Sequence, residues 1–195
     1  MHRLEITVNG YELSSRPLNI KSIMSEQDIQ AAVFLPIDQL VRQCRFERLR
    51  RSGPGGQHRN KVETAVRVEH VASGIRGEAS ERRSQALNRE AALYRLRVAL
   101  AIEIRRELED VTEPSPLWRS RLQGRKVRVS SEHVDFPPLL AESLDFLLAE
   151  DYDVVKAARR LGCSTTQLVR FLKSAPQAFA LLNKERSERG LPPMR

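Results

Sequence analysis

Residues 51–61 read RSGPGGQHRNK and separate two runs of strand character. The run at residues 46–49 precedes this loop, and residues 65–68 follow it with the alternating apolar and polar side chains of a half-buried strand. Three glycines and a proline within the loop exclude a regular helix or strand there. The sequence therefore predicts a long loop that is held at both ends by a small sheet.

The pattern on either side of that sheet predicts an α+β fold for residues 35–109. Pro36 suits the first turn of a short helix, and a turn at residues 72–74 leads into a third strand at 75–79. From residue 83 to residue 109, apolar residues recur at every third or fourth position, which is the pattern of one long helix. We therefore predict a small mixed β-sheet with a long helix packed on it.

Residues 110–136 are predicted as a basic linker, and residues 137–195 as a small all-α domain. In that domain, Asp153 can cap one helix, while Ser164 and Gln167 have the spacing of a capping box for the next. A glycine between the two helices predicts the tight turn of a helix-turn-helix-like unit. Such a unit either contacts nucleic acid or the ribosome, or only stabilises the fold. Its second helix would expose Thr165, Thr166, Gln167, Arg170 and Lys173.

Residues 1–34 are predicted as an N-terminal extension. Alternating apolar residues before Asn9 and Gly10 are the signal of a short hairpin. The alternative is that translation begins at Met24, which would leave the preceding residues as a poorly ordered segment. Both interpretations stand at this point.

The composition indicates a globular protein with a polyanionic partner. The 195 residues carry a formal net charge of +8, and neutralising phosphates releases condensed counterions. A basic but inert surface is the alternative. Cys44 and Cys163 have no metal-ligand spacing, which argues against a disulfide scaffold and against a zinc site. No apolar run approaches the ~20 residues of a membrane span, so we expect a cytoplasmic protein without a membrane partner.

The loop itself indicates a chemistry of positioning. Gly55 and Gly56 can adopt backbone angles closed to other residues, and without Cβ atoms they can approach a partner closely. The amide of Gln57 does not titrate near neutral pH, so it can orient water or donate a hydrogen bond but cannot act as a base. That combination suits a reaction in which positioning and oxyanion stabilisation supply the rate. An ordinary glycine turn explains Gly-Gly-Gln equally well when the tripeptide is taken alone.

The longer string separates these alternatives. It comprises residues 52–58, Asn60-Lys61, Ala65-Val66-Arg67, Gly74-Ile75, Arg83-Ser84-Gln85 and Asn88-Arg89. This set resembles the catalytic domain of class I peptide chain release factors, and the resemblance covers about residues 35–105. It departs from the family pattern at Arg59, where a small apolar residue is usual, and at Ala79-Ser80, which replace a frequent Cys-Gln pair. These departures bear on local packing and RNA contacts rather than on the reaction.

The resemblance implies that residues 35–109 form a catalytic domain whose loop enters the peptidyl transferase centre of the large ribosomal subunit, beside the ester of peptidyl-tRNA. Gln57 matches the residue that coordinates the attacking water, with its backbone N–H aimed at the developing oxyanion, and Gly55 and Gly56 match the glycines that permit that conformation. The glutamine is commonly N-methylated in the family, which makes Gln57 a candidate substrate of a methyltransferase. No metal or organic cofactor is implied.

Contacts with ribosomal RNA are expected from the loop, from the stretch after the third strand and from the basic linker. His58, beside Gln57, suits a phosphate contact better than a general base, because the tripeptide chemistry does not need one. Residues 51–61 contain no Phe, Tyr or Trp, so backbone electrostatics rather than base stacking is expected of the loop. The expected RNA-binding residues are Arg51, Ser52, His58, Arg59, Asn60, Lys61, Arg67, Arg83, Ser84, Gln85, Arg119, Arg121, Arg125 and Lys126.

A length of 195 residues leaves no room for the domains that read stop codons, and only residues 184–195 resemble a basic tail. We therefore expect codon-independent hydrolysis of peptidyl-tRNA on stalled ribosomes. The alternatives are a nucleic-acid-binding regulator that uses the helix-turn-helix and an RNA-binding protein that assists ribosome assembly. The intact Gly55-Gly56-Gln57 argues against a degenerate catalytic domain.

Overall fold

The computed structural model describes residues 24–49, 64–108 and 113–195. The helices in these ranges are α1 (Glu26–Ala31), α2 (Ile37–Arg42), α3 (Gln85–Glu103), α4 (Pro116–Ser120), α5 (Phe136–Ala149), α6 (Val154–Arg160), α7 (Thr165–Lys173) and α8 (Pro176–Glu188), with a 3-10 turn at Ala32–Phe34. The strands are β1 (Cys44–Leu49), β2 (Ala65–His70), β3 (Arg76–Ala79), β4 (Leu122–Gln123) and β5 (Lys126–Val127).

The first three strands form one sheet in the order β1-β2-β3. This sheet together with the helices confirms the predicted α+β fold. Both described pairings are antiparallel, with Leu49 opposite Ala65 and Val66 opposite Ala79. The prediction of a mixed sheet was therefore wrong in strand direction. The reason is that each strand begins beside the end of the one before it, whereas a parallel pair requires a crossover along the full strand length.

Helix α3 covers one face of this sheet. Ser84 begins the helix as its N-cap, with its Oγ accepting from the backbone N–H of Leu87 at 3.4 Å. Strand β3 comes so close to the helix at Gly77 that a Cβ atom there would overlap the backbone of Ala92 and Leu96. A glycine is thus required for the sheet and the helix to reach their packing distance.

Helix α5 is the centre of the molecule. Its residues from Phe136 to Leu147 are all buried, which is expected of a helix that is apolar on nearly every side. None of the described helices is long and apolar enough to cross a membrane. Helix α5 packs against α3, and one continuous hydrophobic core runs from Ala32 to Leu182.

The described parts of all the predicted segments contribute to that core. Val33 belongs to the predicted N-terminal extension, and Trp118, which is fully buried, belongs to the predicted basic linker. The described part of that linker forms α4 and the β4–β5 hairpin. The division of the chain into separate domains stays a prediction.

Two buried carboxylates on α5 fasten the chain on either side of residues 109–112. Asp145 accepts hydrogen bonds from Arg105 at 3.0 Å and from the Arg106 guanidinium at 2.9 Å. Glu142 accepts from the backbone N–H of Ser115 at 2.6 Å and from its hydroxyl at 2.7 Å. Burial raises the pKa of both carboxyls, and the bonds from these donors oppose that rise. These contacts hold the end of α3 and the start of α4 against α5.

The predicted helix-turn-helix caps are confirmed. Asp153 accepts from the backbone N–H groups of Val155 and Lys156 at 2.9 and 3.1 Å, and Ser164 accepts from Gln167 at 3.3 Å. Gly162 forms the turn between α6 and α7 with a φ of +70°, a conformation that favours glycine. The Ser164 half of the predicted capping box is therefore formed, and α7 starts where the sequence indicates.

Candidate functional site

The predicted reactive loop lies outside the described residues, but both of its ends are described. Leu49 ends β1, and Thr64 immediately precedes β2. Because Leu49 lies directly opposite Ala65, the chain leaves and re-enters the sheet at adjacent positions. The predicted site residues outside the described ranges are Arg51, Ser52, Gly55, Gly56, Gln57, His58, Arg59, Asn60 and Lys61.

Asn88 fastens the second of these ends. Its side chain is fully buried in the first turn of α3. The amide Nδ2 donates to the carbonyl oxygens of Thr64 at 2.7 Å and Arg82 at 2.8 Å, while Oδ1 accepts from the backbone N–H of Arg82 at 2.9 Å. One carboxamide thus joins the start of β2, the β3–α3 connection and α3. Sequence reasoning quoted Asn88 only as part of the family resemblance and assigned it no role.

The neighbouring residue on α3 contacts the other strand. The Arg89 guanidinium lies 4.2 Å from the centroid of the Phe46 ring on β1, within the range of a cation–π interaction. Asn88 and Arg89 together link α3 to both strands that lead into the loop. The start of α3 therefore contacts both strands that flank the loop.

Arg67, a predicted RNA-binding residue, lies in the middle of β2 between two carboxylates. Its Nε is 2.5 Å from Glu78 Oε1, and its Nη1 is 3.1 Å from Glu47 Oε2. The hydrogen bond with Glu78 is the main cause of the raised pKa of Arg67. Much of its charge is therefore compensated within the sheet, and its contact with RNA stays a prediction.

The stretch Arg83-Ser84-Gln85 lies at the junction of β3 and α3. Arg83 and Ser84 are exposed, and Gln85 is half-buried. Because Asn88 binds both Arg82 and Thr64, this junction is brought beside the second end of the loop. The structure therefore groups these predicted residues with the loop, although their RNA contacts are untested.

The remaining predicted cations lie elsewhere, on α4, at its C-terminal end and on the β4–β5 hairpin. Arg119 is on α4, and the Arg121 Nε donates to Asp135 at 3.0 Å. Arg125 and Lys126 belong to the β4–β5 hairpin, where the Arg125 carbonyl accepts from the backbone N–H of Ser164 at 3.1 Å. The described members of the predicted RNA-binding set therefore fall into two groups, one in the three-stranded sheet and at the start of α3, and one on α4 and the β4–β5 hairpin.

His70 at the end of β2 is fully buried, and sequence reasoning assigned it no role. Its Nε2 lies 3.1 Å from Gln43 Oε1, and its Nδ1 lies 2.9 Å from Ser73 Oγ. Burial lowers the pKa of His70, so the ring is neutral near neutral pH and closes the β2–β3 turn. Within the described ranges, no cluster of three or more His, Cys, Asp or Glu side chains could hold a metal ion.

Comparison with known proteins places part of the chain in a known sequence family. Residues 37–132 match the sequence family described as the RF-1 domain. The chain is 51% identical over 59 residues to a peptide chain release factor homolog of Escherichia coli, an alignment that covers 30% of this chain and 28% of that protein. It is 38% identical over 79 residues to peptide chain release factor 1 of Ureaplasma parvum, covering 40% of this chain and 21% of that protein.

The chain thus spans less than a third of the length of these curated relatives. The matched residues include the three-stranded sheet, α3 and the β4–β5 hairpin. The resemblance inferred from the glycine loop is confirmed at the level of the family. Residues 37–132 of this chain therefore belong to the RF-1 domain family, and the chain is similar to class I peptide chain release factors.

Proposed function

We propose that this protein hydrolyses the ester that joins the nascent peptide to tRNA on the ribosome, with residues 51–61 as the reactive loop. The observation that carries the proposal is the sequence Gly55-Gly56-Gln57 within an RF-1 domain whose flanking strands pair at Leu49 and Ala65. Binding of both strands to α3 supports it, because a loop that must position water needs a fixed base.

In the proposed reaction, Gln57 orients a water molecule whose oxygen attacks the ester carbonyl. Its backbone N–H stabilises the negative charge of the tetrahedral intermediate, and Gly55 and Gly56 permit the close approach. The bond to the ribose oxygen then breaks, that oxygen takes up a proton, and the peptide leaves as a carboxylic acid. Neither His58 nor a metal ion is required for these steps.

Release without a stop codon, as expected from the sequence, belongs to the same proposal. A decisive assay uses ribosomes with labelled peptidyl-tRNA in the P site and an A site that is empty of mRNA, filled by a sense codon or filled by a stop codon. We expect release with the empty A site and about 10²-fold slower release by Gln57→Ala. His58→Ala is the matched control in the same loop, and at saturating protein, where loss of a phosphate contact does not lower the rate, it should retain release. Release only on a stop codon contradicts codon independence.

The proposed partners are the ribosomal RNA of the peptidyl transferase centre, peptidyl-tRNA and a methyltransferase that modifies Gln57. Mass spectrometry of the protein isolated from its own cells tests the modification. An unmodified Gln57 peptide as the sole species removes the methyltransferase from the proposal without affecting the hydrolysis.

A second candidate function is a nucleic-acid-binding regulator, and the capped α6–α7 pair favours it. Its test is binding of the full chain to duplex DNA at low salt. Because Trp118 and α5 pack this pair into the common core, the full chain is the proper sample. No binding at low salt excludes the regulator.

A further inference from the structure

We propose that the β4–β5 hairpin and helix α7 form one surface that binds the phosphate backbone of ribosomal RNA. This hairpin–α7 surface consists of Arg125, Lys126, Thr166, Arg170 and Lys173. The proposal deepens the proposed function and rests on it for the identity of the RNA. It concerns anchoring of the protein, which is distinct from the ester chemistry of the loop.

The hairpin is fixed to the start of α7. The backbone N–H of Ser164, the N-cap of α7, donates to the Arg125 carbonyl at 3.1 Å, and the Arg125 guanidinium donates to the Cys163 carbonyl at 3.4 Å. Leu122 packs beside Gly162, where an added Cβ would lie 3.5 Å from the leucine methyl. The hairpin and α7 therefore form one rigid element.

The attachment also reaches α4. The indole Nε1 of the fully buried Trp118 donates to the Leu161 carbonyl at 2.7 Å, and its ring meets Phe171 of α7 edge-on at 5.7 Å. A segment predicted as a linker is therefore packed tightly against the helix-turn-helix. The backbone that carries its cations is therefore packed in place, which lowers the entropy cost of binding.

Helix α7 presents a polar face to the surroundings of the protein. Thr166, Arg170 and Lys173 are exposed and recur at intervals of four and three, so they share one face of the helix. The apolar residues of α7 are buried on the other side. A groove of about 340 Å³ runs along the polar face and is lined also by Thr165 and Arg195. Phosphate oxygens accept hydrogen bonds from cationic side chains and from hydroxyl groups, and this face carries both.

The surrounding sequence is purely basic. Residues 116–131 and residues 154–173 each contain five Lys or Arg and no Asp or Glu. Of these, Arg121 is paired with Asp135, and Arg160 with Glu150. The field over this region of the molecule is therefore positive and attracts polyanions.

The charges of the four cations of the hairpin–α7 surface are not compensated by neighbouring carboxylates of the described residues. Among the residues that the structure describes, no carboxylate lies within 4 Å of Arg125, Lys126, Arg170 or Lys173. The cations of the sheet and α3 differ in this respect: Arg67, Arg76 and Arg95 are each paired with glutamate. A cation without a carboxylate partner gains the full free energy of neutralising a phosphate. The four unpaired cations therefore favour this surface as the RNA-binding one.

The position of the hairpin favours RNA backbone over the base edges of DNA. Helix-turn-helix readers of DNA insert the N-terminal residues of their second helix into the major groove. Here the hairpin packs on Ser164, the N-cap of α7, and covers part of that end, while Thr166, Arg170 and Lys173 along one side of the helix stay exposed. A-form RNA has a narrow major groove that side chains do not read, so contacts are made to its phosphates and riboses.

The test measures ribosome binding without turnover. Full-length protein with Gln57→Ala is mixed with ribosomes and with protein-free ribosomal RNA over a range of salt concentrations. Two double variants, Arg125→Gln/Lys126→Gln and Arg170→Gln/Lys173→Gln, are compared with Lys184→Gln/Arg189→Gln at the C-terminal end of α8, which changes the net charge equally. Each surface variant should reduce the slope of log K against log salt by about 2, and the α8 control should leave it unchanged.

The outcomes separate this proposal from the proposed function. If the wild type releases no peptide while both surface variants still lose affinity, the hydrolysis fails and the RNA surface stands. If the wild type releases peptide while the surface variants keep the wild-type slope, the surface proposal is overturned. It is also overturned if the wild type binds duplex DNA more tightly than ribosomal RNA at equal salt, or if the variants lose affinity for ribosomes but not for protein-free RNA. The fluorescence of Trp118, the single tryptophan, verifies that each variant is folded.

Discussion

Replacing Asn88 by alanine should damage both the stability of the protein and the geometry of its loop. The substitution removes three hydrogen bonds of 2.7, 2.8 and 2.9 Å. At about 1 kcal/mol for each bond, the loss is about 3 kcal/mol. Thr64 is half-buried and Arg82 is exposed, so water can reach their backbone groups and the penalty for unpaired groups is small. We expect the free energy of unfolding to fall by about 2–4 kcal/mol.

The assay must separate lost stability from lost positioning. Leu182→Ala provides the control, because Leu182 is fully buried in α8 and its truncation costs a similar amount, about 2–5 kcal/mol. Both variants are compared in urea unfolding and in single-turnover peptide release at a temperature where each is folded. Asn88→Ala should release peptide more slowly than Leu182→Ala at saturating protein, whereas the concentration needed for half-saturation should be similar for the two.

Two results would refute this reasoning. If the unfolding free energy of Asn88→Ala changes by less than about 0.5 kcal/mol, its hydrogen bonds do not hold the fold. If the two variants lose stability and release rate in the same proportion, Asn88 is a structural residue with no positioning role. Asn88→Asp is an additional check: its carboxylate faces two carbonyl oxygens, and it should destabilise the protein more than Asn88→Ala at neutral pH.

Three further predictions concern the frame of the site. Gly77→Ala should reduce the unfolding free energy by about 3 kcal/mol, because its Cβ would overlap the backbone of α3. Gly74→Ala, which has open space around it but a φ of +75°, should reduce it by about 1 kcal/mol. Equal losses of the two variants in urea unfolding would contradict the close packing at Gly77. Burial lowers the pKa of His70 from its usual 6.5, so only the unfolded state binds the proton readily and the unfolding free energy should fall as pH drops through about 6.5. His70→Gln should remove that part of the pH dependence, and an unchanged profile contradicts it. Trp118→Phe should cost about 1–3 kcal/mol by leaving the Leu161 carbonyl without its indole donor, and no change in thermal unfolding contradicts that.

Local patterns in the sequence predicted most elements, because periodicity and capping are properties of neighbouring residues. The caps at Asp153 and Ser164 and the strand at Ala65–His70 are examples. The direction of strand pairing is not local, and the mixed sheet was accordingly wrong. The β4–β5 hairpin was missed because strands of two residues carry no periodicity, and its basic side chains gave the segment the composition of a linker.

The candidate site could likewise be predicted from the sequence only where its signal is local. The motif of the loop is contiguous, so the sequence alone located it. Arg67 was expected to face RNA, but its pairing with Glu47 and Glu78 depends on the register of three strands and could not be seen from composition. Asn88 was missed for a related reason: its partners Thr64 and Arg82 lie 24 and 6 residues away, and nothing in the sequence marks a buried amide.

Single-turnover peptide release by Gln57→Ala tests the central claim most directly. Ribosomes with labelled peptidyl-tRNA are saturated with wild type or variant, so that differences in binding do not contribute. We expect the variant to release peptide at a rate about 10²-fold below that of the wild type, with equal ribosome binding. Equal release rates, or no release by the wild type with any state of the A site, would contradict it.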